Sequence, residues 1–165
     1  MATKRIGIIM HGVTGRMGMN QHLIRSILAI RDSGGVALSN GDRLVPDVHI
    51  VGRNLDKVQE LARKWNVTRV SADLDAALAN KDDTIFFDAG TTQMRPTLLK
   101  RATAAGKHVY CEKPIATNLK EALEVVAAAN KAGIKHGTVQ DKLFLPGLMK
   151  LAALRDAGFF GKILS

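Results

Sequence analysis

Apolar residues in this chain fall into two alternating kinds of run. Ile6–Met10, Val48–Val51, Thr84–Ala89 and Lys107–Cys111 are short and nearly continuous, as strands are when a parallel sheet is covered on both faces. Val67–Val70 and Lys135–Gln140 read as shorter strands of the same kind. Between these runs the apolar positions switch to three- and four-residue spacing, as at Val58, Leu61, Ala62 and Trp65, at Leu74, Ala77 and Leu78, and at Ala122, Val125, Val126 and Ala129. Such spacing predicts amphipathic helices, with Trp65 as a core anchor. Further helices are expected from the first glycines to near Arg31, over Pro96–Ala105 and over Leu143–Gly158. Asn118 followed by Glu121 resembles a capping box with asparagine as the cap, and Gly133 ends the helix it opens. Strands alternating with helices predict an α/β fold, a doubly wound parallel sheet of Rossmann type.

Two stretches break the alternation. Asn40-Gly41 lies between short apolar segments, the strongest short-range hairpin signal, so residues 32–48 read as a β-hairpin inserted ahead of Val48–Val51. Residues 1–140 are then the dinucleotide-binding domain, and 141–165 a linking helix with the start of a further domain. Gly161–Ser165 begins like a strand and stops, which gives the expectation of a truncated chain.

The chemistry concentrates where strands end. Ile6–Met10 runs into Gly12, Gly15 and Gly18, spaced Gly-x-x-Gly-x-x-Gly, and a helical pattern follows. Strand, glycine turn and helix in that order let backbone approach a pyrophosphate while the helix N-terminus offers its N–H groups. Gly12, Thr14, Gly15, Arg16, Met17 and Gly18 are therefore candidate cofactor contacts. Arg53 and Asn54 follow Val48–Val51, where such folds meet the adenosine ribose. A carboxylate there would accept from a 2′-hydroxyl but repel a 2′-phosphate, whereas arginine forks onto phosphate. The expected cofactor is NADP, with NAD as the alternative. Gly90, Thr91 and Thr92 lie at the next carboxyl edge, either as cofactor contacts or as helix caps ahead of Pro96.

Composition narrows the reading. The 165 residues carry 24 Lys and Arg against 15 Asp and Glu, for a net charge of +9. The basic residues are scattered, and aromatic residues make up only 4%, which argues against a nucleic-acid module. No apolar run approaches the ~20 residues of a membrane span, and the N-terminal run is too short for a signal-peptide core. Cys111 is the one cysteine, so neither an internal disulfide nor a cysteine-based zinc site is available, no metal is expected, and a reducing cytoplasm fits. Cys111 reads as a small buried residue.

Three stretches together carry a family resemblance: the glycine turn, Glu112-Lys113-Pro114 after Lys107–Cys111, and Gly158-Phe159-Phe160-Gly161-Lys162-Ile163. The chain resembles, over essentially its whole length, the cofactor-binding half of the glucose–fructose oxidoreductase and inositol dehydrogenase (Gfo/Idh/MocA) family. The resemblance implies a nicotinamide-dependent dehydrogenase acting on a sugar, cyclitol or similar polyhydroxylated secondary alcohol, with a second α+β domain largely absent here. It implies Lys113 as the residue beside nicotinamide and reacting hydroxyl, Glu112 as its orienting neighbour, Pro114 as a candidate cis-proline, and Gln140 and Lys142 near nicotinamide and substrate. The family draws its acid/base histidine from the second domain, and His11, His22, His49, His108 and His136 all fall on expected core elements, so none of them is assigned that role. The longer first glycine interval also resembles dihydrodipicolinate reductases, and a non-catalytic NADP-binding module is a third reading. The domain by itself is expected to bind cofactor without turnover. Leu148, Leu151 and Leu154 would be left uncovered without a second domain, so self-association is expected.

Overall fold

The computed structural model describes residues 2–164; Met1 and Ser165, the outer ends of the first and last segments read above, lie outside the described residues. Strand β1 (Thr3–His11) leads through the glycine turn into helix α1, which is π-helical over Gly18–Leu28 and α-helical over Ala29–Asp32. Then follow β2 (Val36–Ala37), β3 (Arg43–Val51), α2 (Leu55–Lys64), β4 (Arg69–Ser71) and α3 (Leu74–Ala79). The second half contains β5 (Asp83–Asp88), α4 (Arg95–Ala104), β6 (His108–Cys111), α5 (Leu119–Lys131), β7 (His136–Thr138) and α6 (Pro146–Asp156). The sheet order is β2-β3-β1-β5-β6-β7 with β4 also paired to β3, and every pairing but β2 with β3 is parallel. The chain order reverses between β1 and β5, so the crevice at their carboxyl ends is the topological switch point where such sheets bind ligands.

Period-two alternation inside wholly apolar strands supplies both faces of the sheet. Ile8, Met10, Ile50 and Phe87 join Leu23 and Leu28 of α1 and Val58 and Leu61 of α2 in one buried cluster. Ile9, Val51, Phe86 and Val109 join residues of α3, α4 and α5 in the other. Trp65 is partly buried against the first cluster, and Cys111 is buried in the second.

The hairpin differs from its expected form. Its turn closes at Asn40-Gly41, where Leu38 N–H donates to Asp42 O and Gly41 N–H to Leu38 O, but its second arm is β3 itself. β3 pairs antiparallel with β2 at Arg43 and Leu44, then parallel with β4 from His49 to Val51. One long strand thus serves two neighbours along one edge, so the 32–48 boundary falls inside a strand. Gly161–Leu164 form no strand. Asn118 caps α5 by accepting from Glu121 N–H at 3.0 Å, but Glu121 accepts from Thr117 Oγ1 instead of closing the reciprocal half of a capping box.

Strand β5 begins and ends with a buried aspartate. At its start, Asp83 Oδ2 accepts from Arg69 at 2.7 Å and pairs with His49 Nδ1 at 2.9 Å, while Lys107 Nζ donates to the main-chain oxygens of Asp83 and Asn80. The side chain passes over Gly7 to do so: a Cβ on Gly7 would lie 2.6 Å from Asp83 Oδ1 and 2.3 Å from Asp82 O. At the other end Asp88 accepts from Arg95, His11 and Gly90 N–H. Burial raises the Asp88 pKa, but these hydrogen bonds together outweigh it and hold the carboxyl below its usual range.

Gly7→Ala should destabilise the domain by about 1–3 kcal/mol or more through overpacking against fixed backbone, lowering the midpoint of thermal unfolding; an unchanged midpoint would contradict the packing described. Because the folded Asp88 pKa is depressed, its contribution is present above the unfolded value of about 3.9 and is lost as pH falls through the folded value. Urea unfolding of Asp88→Asn should show lower stability at neutral pH and a shallower loss on acidification. Parallel pH profiles for the two proteins would be the contrary result.

Candidate functional site

The carboxyl edges of β1, β5 and β6 converge on the glycine turn. Gly12 has φ +76°, and a Cβ there would lie 2.3 Å from Gly90 N; one on Gly18 would lie 2.5 Å from Gly12 O. These two glycines are required by the chain's own packing. Gly15 differs, since its Cβ would meet only Gly12 O, at 3.5 Å, an ordinary contact. Thr14, Gly15, Arg16 and Met17 are exposed, and within this stretch Gly15 alone leaves the backbone bare of a side chain. Asn54, Asp73 and Asn118 cap α2, α3 and α5 with their side chains, and proline opens α4 and α6. Helical backbone in α1 begins at Arg16, with Met19 N–H bonded to Gly15 O at 2.8 Å; Gly15 at the cap position has no side chain to offer, and no acidic residue stands in the first turn. Its first turn thus carries no carboxylate of its own, as suits an anion.

Glu112-Lys113-Pro114 leaves β6 beside this turn, with the Lys113–Pro114 bond cis. Glu112 uses both carboxylate oxygens: Oε1 pairs with His22 Nε2 of α1 at 2.6 Å, and Oε2 accepts from Lys113 N–H at 2.9 Å. Glu112 N–H donates to Asp88 O at 2.8 Å, tying β6 to the end of β5. Lys113 itself is exposed. Beneath the loop, Arg95 is 2% exposed. Its Nε donates to Asp88 Oδ2 at 2.8 Å, one terminal nitrogen to Gly90 O at 2.6 Å and the other to Pro114 O. Asp88 Oδ1 accepts from Gly90 N–H at 3.0 Å and lies 2.7 Å from His11 Nδ1. Burial pushes the Cys111 thiol up, which keeps it protonated and unreactive.

The remaining candidate residues are placed less uniformly. Arg53 is exposed at the end of β3 and, among the described residues, has no carboxylate partner. Asn54 commits its side-chain oxygen to Lys57 N–H. The side chains of Thr91 and Thr92 do not cap α4, whose cap residue Met94 lacks a side-chain bond; Thr92 Oγ1 instead lies 3.5 Å from Arg95. Gln140 borders a cavity of about 420 Å³ on the α1 side of the sheet, with His22, Phe87, Tyr110 and Thr138 also in its wall. Lys142 is exposed on a 3₁₀ turn, Asp141–Phe144. Among the described residues no group of three or more His, Cys, Asp and Glu side chains is placed to hold a metal ion.

Four residues of this edge, His11, His22, Asp88 and Arg95, do not emerge from motif spacing. A signal was present for one pair. Asp88 is a charge that interrupts an otherwise apolar run, and Arg95 is a cation just ahead of a helix-opening proline, both positions that burial makes costly without a partner.

Comparison with known proteins bears on the fold and the family. Residues 6–138 match the Gfo/Idh/MocA model, described as an oxidoreductase family with an NAD-binding Rossmann fold. A D-xylose dehydrogenase of Paenarthrobacter nicotinovorans is 48% identical over 163 residues, 99% of this chain and 42% of that protein. An inositol 2-dehydrogenase of Gluconacetobacter diazotrophicus is 28% identical over 157 residues, 93% of this chain and 43% of its own length. The chain therefore spans about two fifths of the curated relatives it matches. A levoglucosan dehydrogenase solved with NADH and levoglucosan superposes at a TM-score of 0.82 with 21% identity, over 98% of this chain and 42% of that one. A 3-ketoreductase of Actinomadura kijaniata solved with NADP gives 0.71 at 20% identity, over 93% and 42%. These two show the shared fold. The glycine turn alone resembles two families, and the match over most of the length decides between them: this chain belongs to the Gfo/Idh/MocA oxidoreductases, whose NAD-binding Rossmann fold it forms.

Proposed function

We propose that this chain is the coenzyme-binding part of an NADP-preferring sugar dehydrogenase. The observation that carries the reading is Gly15: of the three turn glycines it alone has room for a side chain, so its bareness serves something outside the chain. A pyrophosphate laid over Gly15 would meet the uncapped N-terminus of α1. Gly12, Thr14, Arg16, Met17 and Gly18 surround that position, and Gly90, Thr91 and Thr92 flank it from β5. Arg53, with no carboxylate partner among the described residues and no acid beside it on the turn, is suited to a 2′-phosphate.

The bound nicotinamide supplies a hydride acceptor. Lys113 supplies charge: its ammonium, on a loop whose main chain is hydrogen-bonded at Lys113 N–H and Pro114 O, would hydrogen-bond the reacting oxygen and stabilise its alkoxide character as the hydroxyl proton passes to the acid/base group of the second domain. Glu112 orients that loop, and Gln140 and Lys142 extend the polar surface toward the substrate. The 48% identity to a D-xylose dehydrogenase favours a sugar substrate, and an aldopentose first among sugars. Relatives being more than twice as long, turnover is assigned to the whole protein and coenzyme binding to this part. Among the described residues no helix is long and apolar enough to cross a membrane, and the buried thiol Cys111 suits a cytoplasmic enzyme. Helix α6 has no buried residue, and Leu148 and Leu151 are exposed, a surface fitted to self-association.

Calorimetric titration should give tighter binding of NADPH than NADH. Hydrogen bonds to charged groups contribute about 1.5–3 kcal/mol, so Arg53→Ala should weaken NADPH binding about tenfold or more and leave NADH nearly unchanged. Equal losses for both coenzymes would remove Arg53 from the 2′-phosphate, and binding of neither would overturn the coenzyme reading. In the whole protein, Lys113→Ala should lower kcat for sugar oxidation by about a hundredfold or more, and unchanged kcat would exclude the role given to Lys113.

A further inference from the structure

We propose that Arg95 is a positioning residue for Lys113: it touches neither coenzyme nor substrate, and its guanidinium fixes the two loops between which the reacting groups meet. This rests on the dehydrogenase reading for its catalytic consequence, but not for its structural one. Arg95 lies in the first turn of α4, buried to 2% exposure, and every group it bonds belongs to the carboxyl edge of the sheet. Nε takes Asp88 at the end of β5, and one terminal nitrogen takes Gly90 O in the loop that follows. The other terminal nitrogen crosses to Pro114 O, the carbonyl immediately beyond Lys113. A planar fork can hold three such acceptors at fixed angles, which a lysine ammonium cannot.

The Lys113 main chain is therefore gripped from both sides. On its N-terminal side Glu112 Oε2 accepts from Lys113 N–H, and Glu112 is itself held by His22 of α1. On its C-terminal side Pro114 O is held by Arg95, which is held by Asp88, which is paired with His11 of β1. Both relays start on elements bordering the glycine turn, so the turn and the lysine are set relative to each other. A side chain as exposed as Lys113 gains its direction from this backbone alone, and active-site groups tolerate only small displacements.

The test compares wild type with Arg95→Lys in the whole protein, with two readouts. By NMR-detected amide exchange without ligand, Gly90, Glu112 and Lys113 should exchange about tenfold faster or more in the variant, while Ile50 and Val51 of β3 keep wild-type rates. In kinetics, kcat should fall about tenfold or more, while the coenzyme dissociation constant changes less than about threefold. Should Arg95→Lys fail to fold, Asp88→Asn, which removes the charge Arg95 answers and keeps the shape, is the second variant; it lowers global stability, so there the three loop amides should accelerate about tenfold or more beyond Ile50 and Val51 of the same variant. Unchanged exchange at the three loop amides overturns the proposal. So does faster exchange spread evenly across the sheet with kcat and coenzyme affinity falling together, the mark of a merely structural residue. Failure of the wild type to bind any nicotinamide coenzyme would overturn the dehydrogenase reading instead, and the exchange readout would still decide whether Arg95 holds the loops.

Discussion

The carboxylate of Asp88 is the constraint on which this edge of the molecule depends. It is fully buried at the last residue of a central strand, where an isolated charge would be strongly unfavourable. Three donors from three separate segments answer it: the ring of His11 on the neighbouring strand, the N–H of Gly90 in the following loop and the guanidinium of Arg95 on the following helix. Removing one partner of such a buried pair alone costs about 3–5 kcal/mol, so the segments are obliged to stay together. Because each donor lies on an element that borders the crevice between β1 and β5, satisfying one charge also fixes the walls of the candidate site.

A second buried acid, Asp83, does comparable work at the opposite edge, drawing β3 and β4 toward β5 across Gly7. The two differ in consequence. The Asp83 network is covered by neighbouring strands and serves cohesion of the sheet. The Asp88 network lies beside exposed backbone at Gly15 and an exposed amine at Lys113, and so links stability to the proposed site. The same division holds among the glycines, with Gly7, Gly12 and Gly18 admitting close contact within the chain and Gly15 leaving space outside it.

Local sequence carried the fold well. Apolar runs that alternate with helical spacing are read without ambiguity when each strand is buried on both faces, and the Asn118 cap and the Asn40-Gly41 turn announce themselves through side-chain chemistry that acts over two or three residues. What local sequence could not carry was pairing. That β3 would be a single strand shared between β2 and β4 depends on which partners line its edge, and Gly161–Leu164, apolar enough to read as a strand start, form none. The candidate site divides similarly. Gly12, Gly15, Gly18 and Lys113 belong to motifs with fixed spacing, whereas Asp88 with His11 is a contact across 77 positions and His22 with Glu112 one across 90. Histidines on apolar elements read as core residues until their partners are seen.

The most direct test of the whole account is a crystal structure of the protein with NADPH bound. The account predicts the pyrophosphate over Gly15 at the N-terminus of α1, the 2′-phosphate against Arg53, the nicotinamide beside Lys113, and Arg95 still bonded to Asp88, Gly90 and Pro114. A coenzyme seated away from the β1–β5 crevice, or one that enters only with Arg95 displaced from these partners, would contradict it.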